Sequence, residues 1–163
     1  MAFLPREFEV PELVETDRFR IRPLTIHDVV KDYDAVMSSV EHLRATLPLW
    51  GWPTDDLTLE QDLIDLGWHQ KEFQMRSSFD YAVMSLDERC LLGCVYIDPP
   101  EKLGADAEVT FWVRADELTT GLEAALEATV RRWVADVWPF DTVVYPGRDI
   151  SWKEWDALPD RES

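Results

Sequence analysis

The chain has 163 residues, 46% of them hydrophobic, and a formal net charge of −17. That length and composition describe one domain spanning 1–163, able to bury roughly two thirds of its unfolded surface, and exclude a disordered chain. The acidity excludes nucleic acid and anionic membrane as partners, since both need a basic surface, and it attracts cationic ones.

Residues 1–17 read as a polar lead-in with two prolines. Phe19, Ile21 and Leu24 flank Arg20 and Arg22, which predicts a short strand. Thr25, three residues before Asp28, predicts a helix cap. Val29, Tyr33, Val36, Met37 and Val40 follow at helical spacing as a first amphipathic helix. Pro48 to Pro53, with Trp50, Gly51 and Trp52 inside, breaks that pattern. Thr58 followed by Gln61 starts a second helix, with Leu59, Leu63, Leu66 and Phe73 on one side. Phe79 to Ser85 and Leu91 to Ile97 read as two strands joined by the turn Leu86 to Arg89. Ala107 to Val113 is a further strand, Leu122 to Val137 a long helix, and Thr142 to Tyr145 a last short strand. The tail from Ile150 to Leu158 adds a helical turn carrying Trp152 and Trp155. The order β-α-α-β-β-β-α-β predicts an α/β fold in which helices pack on a mixed sheet.

The segment from Ala107 to Leu126 carries the most chemistry, because it is a strand, a short loop and a helix start. Free amides at a helix N-terminus, with Gly121 allowing close approach, can cradle a phosphate. Here the chain resembles the GNAT superfamily of N-acetyltransferases, most closely its ribosomal-protein-acetylating, RimJ/RimL-like branch. Glu15 to Thr25 looks like that branch's first strand and helix cap, and Ala107 to Val113 like its fourth strand. The spacing from Trp112 to Gly121 suits the family's pyrophosphate loop. The resemblance covers about residues 13–146 and implies a mostly antiparallel central sheet flanked by helices. It implies an acyl group transferred from acetyl-CoA to a small-molecule or peptide amine. Cofactor binding is thereby carried onto Trp112, Val113, Arg114, Thr119, Thr120, Gly121 and Leu122. The family's oxyanion donor, a fourth-strand backbone N–H, falls near Trp112 and Val113.

The chain departs from the family where phosphates would sit. Leu118 replaces a Gln or Arg, and Glu123 replaces a second Gly or Ala, setting a carboxylate beside the pyrophosphate. Thr120 to Glu123 has capping-box spacing, so the Glu123 carboxylate is expected to bond back to the Thr120 amide. The region after the last strand, Gly147 to Trp155, replaces the family's Asn-containing helix and two strands, so part of the substrate wall is absent or comes from a dimer partner. These departures keep open a non-catalytic, GNAT-like ligand- or partner-binding protein.

The resemblance makes Glu108 a candidate base, against a structural role paired across the sheet with Arg20 or Arg22. Tyr145 is a second candidate, near but not at the position of the family's acid. Trp50 and Trp52 border the region where the family binds its acceptor and suggest an aromatic-lined pocket. His27, His42 and His69 are scattered, so no metal is expected. Cys90 and Cys94 lie on one face of a strand about 13 Å apart, too far for a disulfide, and read as core thiols. No apolar run approaches the ~20 residues of a membrane span, and Met1 to Pro5 is too short for a signal peptide, so the cytoplasm is the expected location.

Overall fold

The computed structural model describes residues 2–162. Its centre is one sheet of six strands: β1 (Val14–Glu15), β2 (Phe19–Pro23), β3 (Phe79–Ser85), β4 (Leu91–Asp98), β5 (Ala107–Val113) and β6 (Val143–Val144). They lie side by side in chain order, antiparallel from β1 to β5, with β6 parallel to β5. Three helices, α1 (Val29–Met37), α2 (Val40–Thr46) and α3 (Leu59–Gln74), pack on one face. The long helix α4 (Leu122–Val137) packs on the other, and a short α5 (Trp152–Asp156) follows β6. No described helix is long and apolar enough to cross a membrane.

Strand alternation makes two cores. Phe79, Tyr81 and Val83 of β3, with Val109, Phe111 and Val113 of β5, join Leu126, Val130 and Trp133 of α4. Ala82, Cys94 and Trp112 turn the other way, toward Val36, Leu43 and Leu66. Gly93 is obligatory between the layers, because a Cβ there would stand 2.0 Å from the Trp112 carbonyl oxygen.

Three expectations change. The first helix is two, broken at Ser38 and Ser39. The buried Ser39 hydroxyl accepts from the Ala115 amide at 2.8 Å and ties the break to the loop after β5. Helix α3 starts at Thr58 as expected, its hydroxyl accepting from the Gln61 amide at 3.1 Å. Its inward face, however, is turned by roughly 60° from the apolar stripe, at 100° per residue. Asp62 and Leu66 are buried, whereas Leu59 and Leu63 are 45% and 42% exposed. A polar face looks inward because α3 lines a cavity there. Finally, an irregularity between β3 and β4 skips Leu92, pairing Leu91 with Met84 and Gly93 with Val83. That extra residue puts Cys90 and Cys94 on opposite faces, beside different cores.

Candidate functional site

The strand register builds rows of side chains on the face under α1–α3. Asp80, Tyr96 and Thr110 form one row, and Asp98 faces Glu108 in the next. Above them lie two neighbouring cavities that share Trp50, Trp52, Glu72, Ser78 and Asp98 in their walls. The first, about 430 Å³, reaches toward Asp32, Asp62 and His69. The second, about 570 Å³, reaches Glu108, Thr110, Trp152 and Trp155. The tail closes this second cavity. Trp152 donates its indole N–H to the Thr46 carbonyl at 2.9 Å, and Trp155 is buried. These tryptophans turn inward and supply wall within the one chain.

Titration in this region is strongly perturbed. Burial, then the charges of Asp98 and Glu101, push the Glu108 carboxyl up to about 8. Burial and the Asp80 charge push Asp98 up to about 7, although the Ser78 hydroxyl donates to it. Burial would lower His69, but Asp80 at 2.7 Å overrides it and holds the imidazole up at about 8. Burial raises both Asp32 and Asp62, and the neighbouring Asp62 carboxyl raises Asp32 further. Among the described residues Glu108 has no arginine partner: Arg20 pairs with Glu15 and Glu88, and Arg22 with Asp28 and Glu88.

Glu108 also stands where two strands part. β6 pairs with β5 only at Ala107 and Glu108, and beyond that point the β5 edge is open. The Arg114 amide donates to Leu92 of β4, so alternation turns Trp112 toward β4 and leaves the groups of Val109, Phe111 and Val113 on the open edge. The expected oxyanion donor is thus an N–H of Phe111 or Val113, while Trp112 is fully buried and donates its indole N–H to the Tyr96 hydroxyl at 2.8 Å.

The opening has a side chain in it. Arg148 lies over the Phe111 ring at 3.7 Å, donates to the Phe111 carbonyl at 3.3 Å, and pairs with Glu123 at 3.1 Å and Glu127 at 2.9 Å. The expected capping box is therefore absent. Gly121, at φ +81°, is the cap residue, which takes Glu123 out of register, and Arg148 offers it a charge-assisted partner. The Thr120 amide bonds to the Glu117 carbonyl instead. The amides of Gly121, Glu123 and Ala124 meet no acceptor among the described residues, and Arg18 sits beside them, donating to the Thr120 carbonyl at 3.2 Å. A free strand edge, free helix-start amides and a nearby guanidinium suit an acyl-CoA, and Arg148 lies in the opening between β5 and β6.

Solved structures with the same topology are acetyltransferases. A ribosomal-protein-S5-alanine acetyltransferase from Vibrio fischeri superposes with TM-score 0.60 at 15% identity, over 76% of this chain and 67% of that one. The chain has the GNAT acyltransferase fold. A RimL ribosomal L7/L12 α-N-protein acetyltransferase, solved with coenzyme A, matches with TM-score 0.60 at 14% identity, over 76% of this chain and 68% of that one. A microcin C7 self-immunity acetyltransferase in complex with acetyl-CoA and AMP matches with TM-score 0.56 at 12% identity, over 75% and 66%. No protein-family model and no curated protein matches.

The structure brings Glu108, Trp50 and Trp52 together around the second cavity. Tyr145 lies elsewhere, buried in the α4 core with the Arg131 guanidinium 4.2 Å over its ring. Arg114 is engaged by Asp34 and Asp116, and Thr119 and Thr120 lie exposed before Gly121. Sequence reasoning missed Asp62, Asp80, Asp98, Thr110, Arg18 and Arg148. Asp80 leaves one signal, a carboxylate in phase with the apolar Ala82 and Met84 of its strand; Arg148 leaves none.

Proposed function

We propose that this chain is an acyl-CoA-dependent N-acyltransferase acting on an amine. The observation that carries the reading is the position of Glu108. It stands at the point where β5 and β6 separate, faces an aromatic-walled cavity, and has a proton affinity suited to work near neutral pH. The solved structures that share the fold, two of them with coenzyme A or acetyl-CoA bound, support it.

In this reading the acceptor enters as an ammonium and gives one proton to Glu108. Its nitrogen forms the C–N bond to the thioester carbonyl carbon as the C–S bond breaks. Of the two protons left on nitrogen, one goes to the departing sulfur and the other stays on the amide, and Glu108 returns its own to solvent. The open-edge N–H groups of Phe111 and Val113 face the charge developing on the thioester oxygen. The helix start at Gly121 and the Arg18 guanidinium hold the diphosphate. Arg148 leaves the opening when the pantetheine arm enters.

Calorimetric titration with acetyl-CoA, followed by thiol release with a panel of amines, tests the reading. Saturable binding is expected, and Glu108→Gln should keep that binding while lowering turnover about 10²- to 10⁴-fold. No heat from acetyl-CoA at high protein concentration would sink the proposal, leaving Arg148 as a fixed part of a scaffold.

A further inference from the structure

The cavity walls have a chemical character that acyl transfer alone does not require. Eight of their side chains are carboxylates, and among the described residues no Lys or Arg lines either cavity. His69, the one base there, is already held by Asp80. Carboxylates gathered in a cleft without cations are costly to ionise, so the empty cleft takes up protons, and an entering cation lets it release them.

Unpartnered groups show where. Thr110 is 6% exposed and lines the second cavity, and its hydroxyl meets no partner among the described residues. Asp62 is 1% exposed and lines the first, and its Oδ2 meets no partner among the described residues. Aromatic faces stand between these two polar ends. The Trp50 ring centre is 5.2 Å from that of Tyr96 and 6.5 Å from that of Trp52. Such faces attract ammonium groups and accept alkyl chains equally well.

The register gives the length of the cleft floor. Glu108 and Asp80 lie two strands and two residues apart on one face, which at ordinary strand spacing is roughly 12 Å between Cα atoms. The geometry points to a dicationic acceptor, a diamine or longer polyamine with an apolar spacer, one ammonium held among Asp62, Trp50 and Tyr96 and the other presented to Glu108 and Thr110. This rests on the acyltransferase reading, in that the second ammonium is the one acylated, by the proton and acyl transfers given above. The net charge of −17 draws such a ligand in from solution. A peptide N-terminus, with a single charge, would leave the Asp62 end uncompensated.

The test uses the full chain with no acyl donor present, titrated by calorimetry and tryptophan fluorescence. The probes are 1,8-diaminooctane, octylamine, 1,8-octanediol and a neutral tripeptide with a free N-terminus. The diamine is expected to bind at least tenfold more tightly than octylamine or the peptide, and the diol not at all. Asp62→Asn is expected to erase the diamine's advantage while leaving octylamine within about twofold. A diamine no tighter than octylamine, or a peptide as tight as the diamine, overturns the proposal on the wild-type protein alone. Because acetyl-CoA is absent, this failure is separate from failure of the acyltransferase reading, which shows only in the acetyl-CoA titration.

Discussion

If Glu108 is a base tuned by burial, it destabilises the fold that holds it. Its carboxyl titrates at about 8 in the folded chain against an ordinary value of 4.5. Between those values the unfolded state has lost the proton and the folded state still holds it, so stability falls as pH rises through that window. At about 1.4 kcal/mol per tenfold in proton affinity, the ceiling is about 5 kcal/mol. Glu108 is only half-buried, and solvent screening reduces this to about 2 kcal/mol. Glu108→Gln keeps the shape and removes the titration, so it should stabilise the protein by about that much at pH 8 and hardly at all at pH 4.5. For a chain of this size that is a rise in Tm of about 4–8 °C at pH 8. Thermal unfolding followed by circular dichroism at the two pH values measures it. A Gln variant that is neutral or less stable at pH 8 would show that Glu108 is not held in its neutral form, and would remove the basis for its role.

Other perturbations address the surrounding parts. Arg148→Ala combined with Glu123→Gln removes the side chain in the strand opening together with the charge it leaves behind; the contacts released are worth about 1–2 kcal/mol, so acetyl-CoA should bind about tenfold more tightly by calorimetry. Unchanged or weaker affinity would place Arg148 outside the ligand's path. Gly93→Ala should cost more than about 3 kcal/mol, because its Cβ would meet backbone at 2.0 Å rather than a flexible side chain; a Tm within a degree or two of wild type would contradict that contact. His69→Gln tests the pair with Asp80. The imidazole's folded value, raised to about 8, gives stability that is full below its ordinary value of 6.5 and lost as pH rises through 8. The variant should therefore lose more stability at pH 6 than at pH 9, and an equal loss at both would mean that the pair does not carry it.

Much of the fold was legible in the chain itself. The period-2 pattern of β3, β4 and β5, the helical period of α4 and the Thr58 cap are local features, and each element forms within a residue or so of where the pattern puts it. The order of those elements was enough to imply the mixed sheet. Glu108 and the Trp50 and Trp52 pair were also readable, through a resemblance that the common topology supports. The errors share a cause. Leu59 and Leu63 satisfy a helical apolar stripe, but α3 turns Asp62 inward because a polar cavity, and not only a core, lies beneath it. Cys90 and Cys94 have the spacing of one face, but an extra residue in β4 separates them. Glu123 has capping-box spacing, but Arg148, distant in sequence, reaches it first.

Sequence by itself determined which segments are strands and helices, because those preferences depend on neighbours within a few residues. Only the tertiary structure decided what lines the cleft. Asp62, Asp80, Asp98 and Glu108 come from a helix and three strands, and burial and mutual repulsion, which no stretch of chain contains, set the proton affinities of Asp62, Asp98 and Glu108.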